Sequence, residues 1–152
     1  MMLSPAPAVA GSPAATPLSF SFSVTMTAAR IRSFAEATGD FNKLHFDADA
    51  ARAIFKDALA PVAHGDLVIA CLGSGIVQQL TDGTMLRKAG AWQPKTYVAQ
   101  DETAEYEVTE VGRQSRGPMT FIELSARIFV KRNGQRLEFT KEPISICLYR
   151  QD

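Results

Sequence analysis

Residues 39–47 read Gly-Asp-Phe-Asn-Lys-Leu-His-Phe-Asp and place Asp40 and His45 five positions apart. A carboxylate and an imidazole held close favour each other's charged forms. Such a pair can bind a water, take a proton from it and deliver a proton elsewhere. The chain has two histidines, and the second, His64, stands in Ala63-His64-Gly65-Asp66 at the head of a long apolar run. If that run is a helix, the Gly65 N–H lies at its N-terminus, where amides lack intrahelical acceptors and the dipole favours negative charge. An amide in that position can stabilise an oxyanion or enolate forming on a carbonyl. Acid, base and oxyanion donor together suit the addition or removal of water beside a thioester carbonyl.

The elements that must hold these groups follow from the pattern. Residues 18–26 alternate apolar and hydroxyl side chains, which predicts a strand with one buried face. Thr27 is placed to cap a helix over 28–38, whose Ile31, Phe34 and Ala35 share a face. Gly39 stops that helix at a position that favours a left-handed residue, so Asp40 to Phe46 form a loop leaving a helix end. Asp47 or Asp49 can cap a short helix over 50–55. Residues 65–80 are apolar most of the way round, which predicts a helix buried rather than half exposed. Gly73 and Gly75 each cost about 1 kcal/mol of helix propensity, and a close-packed neighbour would account for them.

After Asp82-Gly83 the pattern turns to strands. They are expected over 84–93, 102–111 and 118–131, with a hairpin at Asn133-Gly134. One last strand carries Leu137, Phe139, Ile144, Ile146 and Leu148, with Pro143 marking a bulge or an edge. Helices in one block and strands in another read as α+β, with one antiparallel sheet wrapped around one long buried helix. Residues 1–17 are rich in Ala, Pro and Ser and read as a flexible tail, leaving 18–152 as one domain.

Composition narrows the class. With 152 residues and 46% hydrophobic content, the chain can bury a core. A formal net charge of zero argues against electrostatic capture of nucleic acid or an anionic membrane. Cys71 and Cys147 have no neighbour at metal-ligand spacing and read as reduced core residues of a cytoplasmic protein. No apolar run is long enough to span a membrane, and the N-terminus lacks the features of a signal peptide.

The motif Gly39-Asp40-x-Asn42-x-x-His45-x-Asp47, followed by Pro61-x-x-His64-Gly65, resembles the signature of the MaoC-like dehydratases and (R)-specific enoyl-CoA hydratases. The resemblance spans about residues 18–150 and implies their hot-dog fold. It implies Asp40 and His45 as the catalytic pair, Asn42 holding the loop, and the Gly65 N–H polarising a thioester carbonyl. The reaction would be reversible syn hydration of an enoyl thioester to the (R)-3-hydroxyacyl thioester. No metal or redox cofactor is implied; coenzyme A or an acyl carrier protein pantetheine carries the substrate, and the unit is expected to form a homodimer.

Four positions depart from the family: Lys43 replaces a common proline, Asp66 a common apolar residue, Gly73 a polar site residue, and Trp92 stands where it can narrow a tunnel. They point to a polar or polyketide-like acyl group. Asp66 and His64 are expected near the substrate, although a dipole-complementing carboxylate and a turn-fixing imidazole explain them as well. Trp92 suits core or dimer packing as readily as substrate contact. Arg87, Lys88 and Lys95 are candidates for coenzyme A phosphates or simply a solvated strand face. Two other readings stay open: a hot-dog thioesterase that attacks the carbonyl carbon, and a non-catalytic acyl-thioester-binding subunit.

Overall fold

The alternation of hydroxyl and apolar residues near the start does form a strand, β1 (Ser19–Thr25), in a computed structural model that describes residues 16–80 and 84–151. Most of the expected tail and the Asp82-Gly83 turn lie outside the described residues. Thr27 caps α1 (Ala28–Thr38) through its side-chain oxygen, and Gly39 ends it at φ 77°. A short 3-10 turn (Lys43–His45) follows, then α2 (Ala48–Ile54) and α3 (Gly65–Gln79). Asp47, not Asp49, caps α2, accepting from the Asp49 and Ala50 amides, so that helix begins two residues earlier than predicted.

The strands β2 (Met85–Ala89), β3 (Thr103–Arg116), β4 (Met119–Arg132), β5 (Gln135–Glu138) and β6 (Ile144–Gln151) complete an antiparallel sheet with β1. The order is β1-β3-β4-β6-β2, with β5 beside β4. The inward faces of β3, β4 and β6 carry Ala104, Tyr106, Val108, Ile122, Leu124, Ala126, Ile128, Ile144, Ile146 and Leu148, all buried. They join Leu67, Val68, Cys71, Leu72 and Ile76 of α3 in one core. Each such aliphatic side chain contributes about 1.5–3 kcal/mol on burial. The Tyr106 hydroxyl donates to the Val68 carbonyl at 2.9 Å, pinning sheet to helix, and burial pushes its pKa far up. This is the expected α+β arrangement, a sheet wrapped around one long helix.

Four expectations need correction. First, α3 is buried on one face only: Asp66, Ala70, Ser74, Val77 and Gln78 are exposed in the isolated chain. Second, β3 runs on past Val111. A bulge between Glu110 and Gly112 inserts a residue, which breaks the period-2 pattern where the strand continues. Third, the predicted last strand is two. β5 pairs with residues 129–132 of β4 and β6 with residues 119–126. Between them the chain bends, and Pro143, without a ladder N–H, stands just before β6. Fourth, β2 stops at Ala89, leaving Trp92 in the connection to β3. Asn133 and Gly134 make the expected turn, both at positive φ. Cys71 is buried as expected, whereas Cys147 is half-buried; both are free thiols.

The two glycines of α3 differ. A Cβ on Gly75 would overlap the Phe22 ring, which is itself stacked on Tyr106 at 4.6 Å. A Cβ on Gly73 would meet only Leu86, at an ordinary 3.6 Å. Gly75→Ala is therefore expected to cost about 1–3 kcal/mol through overpacking. Gly73→Ala should leave stability unchanged or raise it by about 0.5–1 kcal/mol. Urea titration of both variants checks this, and equal effects would contradict the assigned packing of β1 on α3.

Candidate active site

The loop after α1 is built by short side chains that bond their own backbone. Asn42 N–H donates to Asp40 Oδ1 at 3.2 Å, and Leu44 N–H donates to Asn42 Oδ1 at 3.4 Å. These two Asx-type turns tighten the chain into the 3-10 turn that carries His45. Asn42 thus holds the loop, as its side chain caps that turn. With Oδ1 engaged, Asp40 turns Oδ2 toward both histidines, 3.8 Å from His45 Nε2 and 3.9 Å from His64 Nε2. Asp40 is about half exposed, whereas both imidazoles are buried.

Hydrogen bonds to carbonyls assign the tautomers. His45 Nδ1 lies 2.8 Å from the Val62 carbonyl, which only accepts, so Nδ1 carries the proton. In the neutral ring Nε2 is then an open acceptor facing Asp40. Burial pushes the His45 pKa down, the Val62 hydrogen bond raises it, His64 lowers it and Asp40 raises it, for a net lowering. His45 is accordingly neutral at pH 7, a base rather than an acid at rest.

His64 Nε2 lies 2.9 Å from the Asp40 carbonyl and donates to it. Its ring stacks on His45 with centroids 3.6 Å apart, and Phe34 packs beside it at 5.0 Å. The remaining His64 Nδ1 is buried without a partner. Asp40, His45 and His64 offer ligand atoms within 4.8 Å of one another. His64 Nε2 is engaged by the Asp40 carbonyl, and Asp40 Oδ2 lies about equally far from both Nε2 atoms.

His64 is also the N-cap residue of α3 and gives it no side-chain cap bond. The stack on His45 therefore brings the start of α3, with Gly65, up to the Asp40–His45 pair. Asp66 sits in the first turn and is exposed. Trp92 covers Gly65: a Cβ there would come 2.7 Å from its Cη2, and the indole stacks on Phe139 at 5.9 Å. Sequence reasoning placed Trp92 near a tunnel but not against Gly65. It missed the Val62 carbonyl altogether, since a backbone acceptor leaves no residue-type signal. Arg87 and Lys88 stand exposed on β2, where Arg87 lies over the Phe121 ring at 5.2 Å, and Lys95 is exposed in the connection after it.

Comparisons with known proteins place the chain in a family. A family model described as the MaoC like domain matches residues 9–125. An (R)-specific enoyl-CoA hydratase of Aeromonas caviae is 33% identical over 121 residues, covering 77% of this chain and 83% of its own length. Among solved structures, the (R)-hydratase from A. caviae superposes with a TM-score of 0.69 at 22% identity, over 93% of this chain and 100% of that one. The unliganded R-hydratase PhaJ1 from Pseudomonas aeruginosa gives 0.67 at 16% identity, over 87% and 79%. A Mycobacterium tuberculosis protein with a double hotdog fold gives 0.69 at 15% identity, over 90% of this chain and 42% of that one. By this family match and these relatives the chain, a hot-dog fold with Asp40 and His45 on the loop after α1, belongs to the MaoC-like domain family.

Proposed function

We propose that the chain is a hydro-lyase that reversibly hydrates an enoyl thioester to the (R)-3-hydroxyacyl thioester, with Asp40 and His45 as its catalytic residues. The observation that carries this reading is the 3.8 Å gap between Asp40 Oδ2 and His45 Nε2 beside the N-terminus of α3. A water can bridge that gap with a hydrogen bond to each group. His45 Nε2 takes a proton from the water as its oxygen adds to C3. The Gly65 amide, with the positive end of the helix dipole, stabilises the enolate oxygen. The imidazolium, stabilised by the Asp40 carboxylate, then returns a proton to C2 on the same face, which is syn addition. Net, C3 gains OH and C2 gains H, and the reverse sequence is the dehydration. These steps are proton transfers and call on no redox cofactor or metal. The substrate is carried on coenzyme A or an acyl carrier protein pantetheine. Trp92 over Gly65 and the charge of Asp66 favour a short or polar acyl group. A cytoplasmic location fits the two free thiols; among the described residues no helix is long and apolar enough to cross a membrane.

The reading also includes a homodimer. The open face of α3 and the edge strand β2 leave Val77, Met85 and Leu86 exposed at 46%, 51% and 39%. An unpaired edge beside apolar side chains favours pairing with a second copy. Light scattering is expected to give twice the chain mass, and a stable, active monomer would refute this part.

Hydration is read as loss of the enoyl-thioester absorbance of crotonyl-CoA. Asp40→Asn and His45→Ala are each expected to lower kcat roughly 10²–10⁴-fold, the usual worth of a positioned acid–base group, with unchanged circular dichroism. Full activity in either folded variant would remove the mechanism. Free thiol release without hydration would replace it with thioester hydrolysis.

A further inference from the structure

On the β1 side of α3, away from the proposed reaction centre and from the β2 edge proposed to meet a second copy, β1, the first turn of α1 and α3 line an open cleft of about 350 Å³. That volume lies within the range that holds small ligands. Arg30 of α1 is its single charged lining residue. Among the described residues no carboxylate lies within ion-pair distance of Arg30. Arg30 is exposed and shares the lining with Cys71. Burial pushes the Cys71 pKa up, so the thiol stays neutral and does not compensate the arginine charge.

The rest of the lining has two halves. The Phe22 ring and Cys71 form an apolar floor, held close because Gly75 has no side chain to displace the ring. Ser23, Ser74 and Gln78 form a neutral polar rim, and Gln78 donates to Ser74 Oγ at 3.2 Å. A guanidinium presents a planar fork that matches a carboxylate with two parallel hydrogen bonds. A fork with no protein anion, a neutral polar rim and an apolar floor together describe a receptor for a short organic acid. We propose that this cleft is a binding site for a small carboxylate with a short hydrocarbon body. Ser74 lies nine residues along α3 from Gly65, about 13 Å at 1.5 Å per residue. The site is therefore separate from the Asp40–His45 pair, and it does not depend on the proposed reaction.

Calorimetric titration of the full chain with butyrate tests the proposal, with inorganic phosphate as the comparison anion. Saturable one-site binding of butyrate, tighter than that of phosphate, is expected. Arg30→Gln should weaken it about tenfold or more, the worth of a charge-assisted pair. Ser74→Phe, which fills the cavity from an exposed helix position, should abolish it, while Asp40→Asn should leave it unchanged. Thermal melts establish that each variant is folded. The proposal is overturned by absence of saturable butyrate binding, by equal affinity in folded Arg30→Gln, by phosphate binding as tightly as butyrate, or by loss of binding in Asp40→Asn.

Discussion

The hydrogen bond from the His64 ring to the Asp40 carbonyl, 2.9 Å long, fastens the end of α1 to the start of α3. Everything at the site depends on that fastening. Asp40 has no rigid element of its own; it follows Gly39, at φ 77°, and is half exposed. A buried ring that donates to its backbone fixes where the carboxylate stands. The same ring stacks on His45, whose other face of constraint is the Val62 carbonyl. Because Val62 lies two residues before His64, one stretch of chain positions both imidazoles and the first amide of α3 together. In the proposed reaction, preorganisation of this kind would let the pair act without reorganising.

That arrangement also accounts for the division of labour between the two histidines. Both spend one nitrogen on a carbonyl. His45 spends Nδ1 and turns Nε2 to the acid, whereas His64 spends Nε2 and keeps Nδ1 inside the protein without a partner. A buried unpaired acceptor costs about 1–3 kcal/mol, a cost the fold bears to hold Asp40. His64 thus fixes the position of Asp40, and its place beside Gly65 is what joins the Asp40–His45 pair to the helix N-terminus.

Much of this was legible in the sequence because it is local. Gly39 as a helix stop, Thr27 as a cap, the Asn133-Gly134 turn and the loop that brings Asp40 to His45 all act within a few residues of themselves. Gly75 was legible as a close approach, though not which ring approaches it. Where the reading fell short, the deciding partner is distant. Asp47 and Asp49 are chemically equal as caps, and the extended backbone of Asp47, at φ −132°, decides between them. The bulge at Val111 disguises a continuing strand as its end. The apolar residues around α3 suggested full burial, but Val77 faces outward in the isolated chain, where a second copy is proposed to cover it. Trp92 meets Gly65 across 27 positions, and no periodicity reports such a contact.

The central claim is that one acid–base pair serves both proton transfers from one face of the substrate. Hydration of crotonyl-CoA in deuterium oxide tests it most directly, by the configuration of the product at C2 and C3. The account predicts the (R)-3-hydroxy product with deuterium at C2 added on the same face as the hydroxyl. An (S) product, or deuterium distributed over both faces of C2, would contradict it.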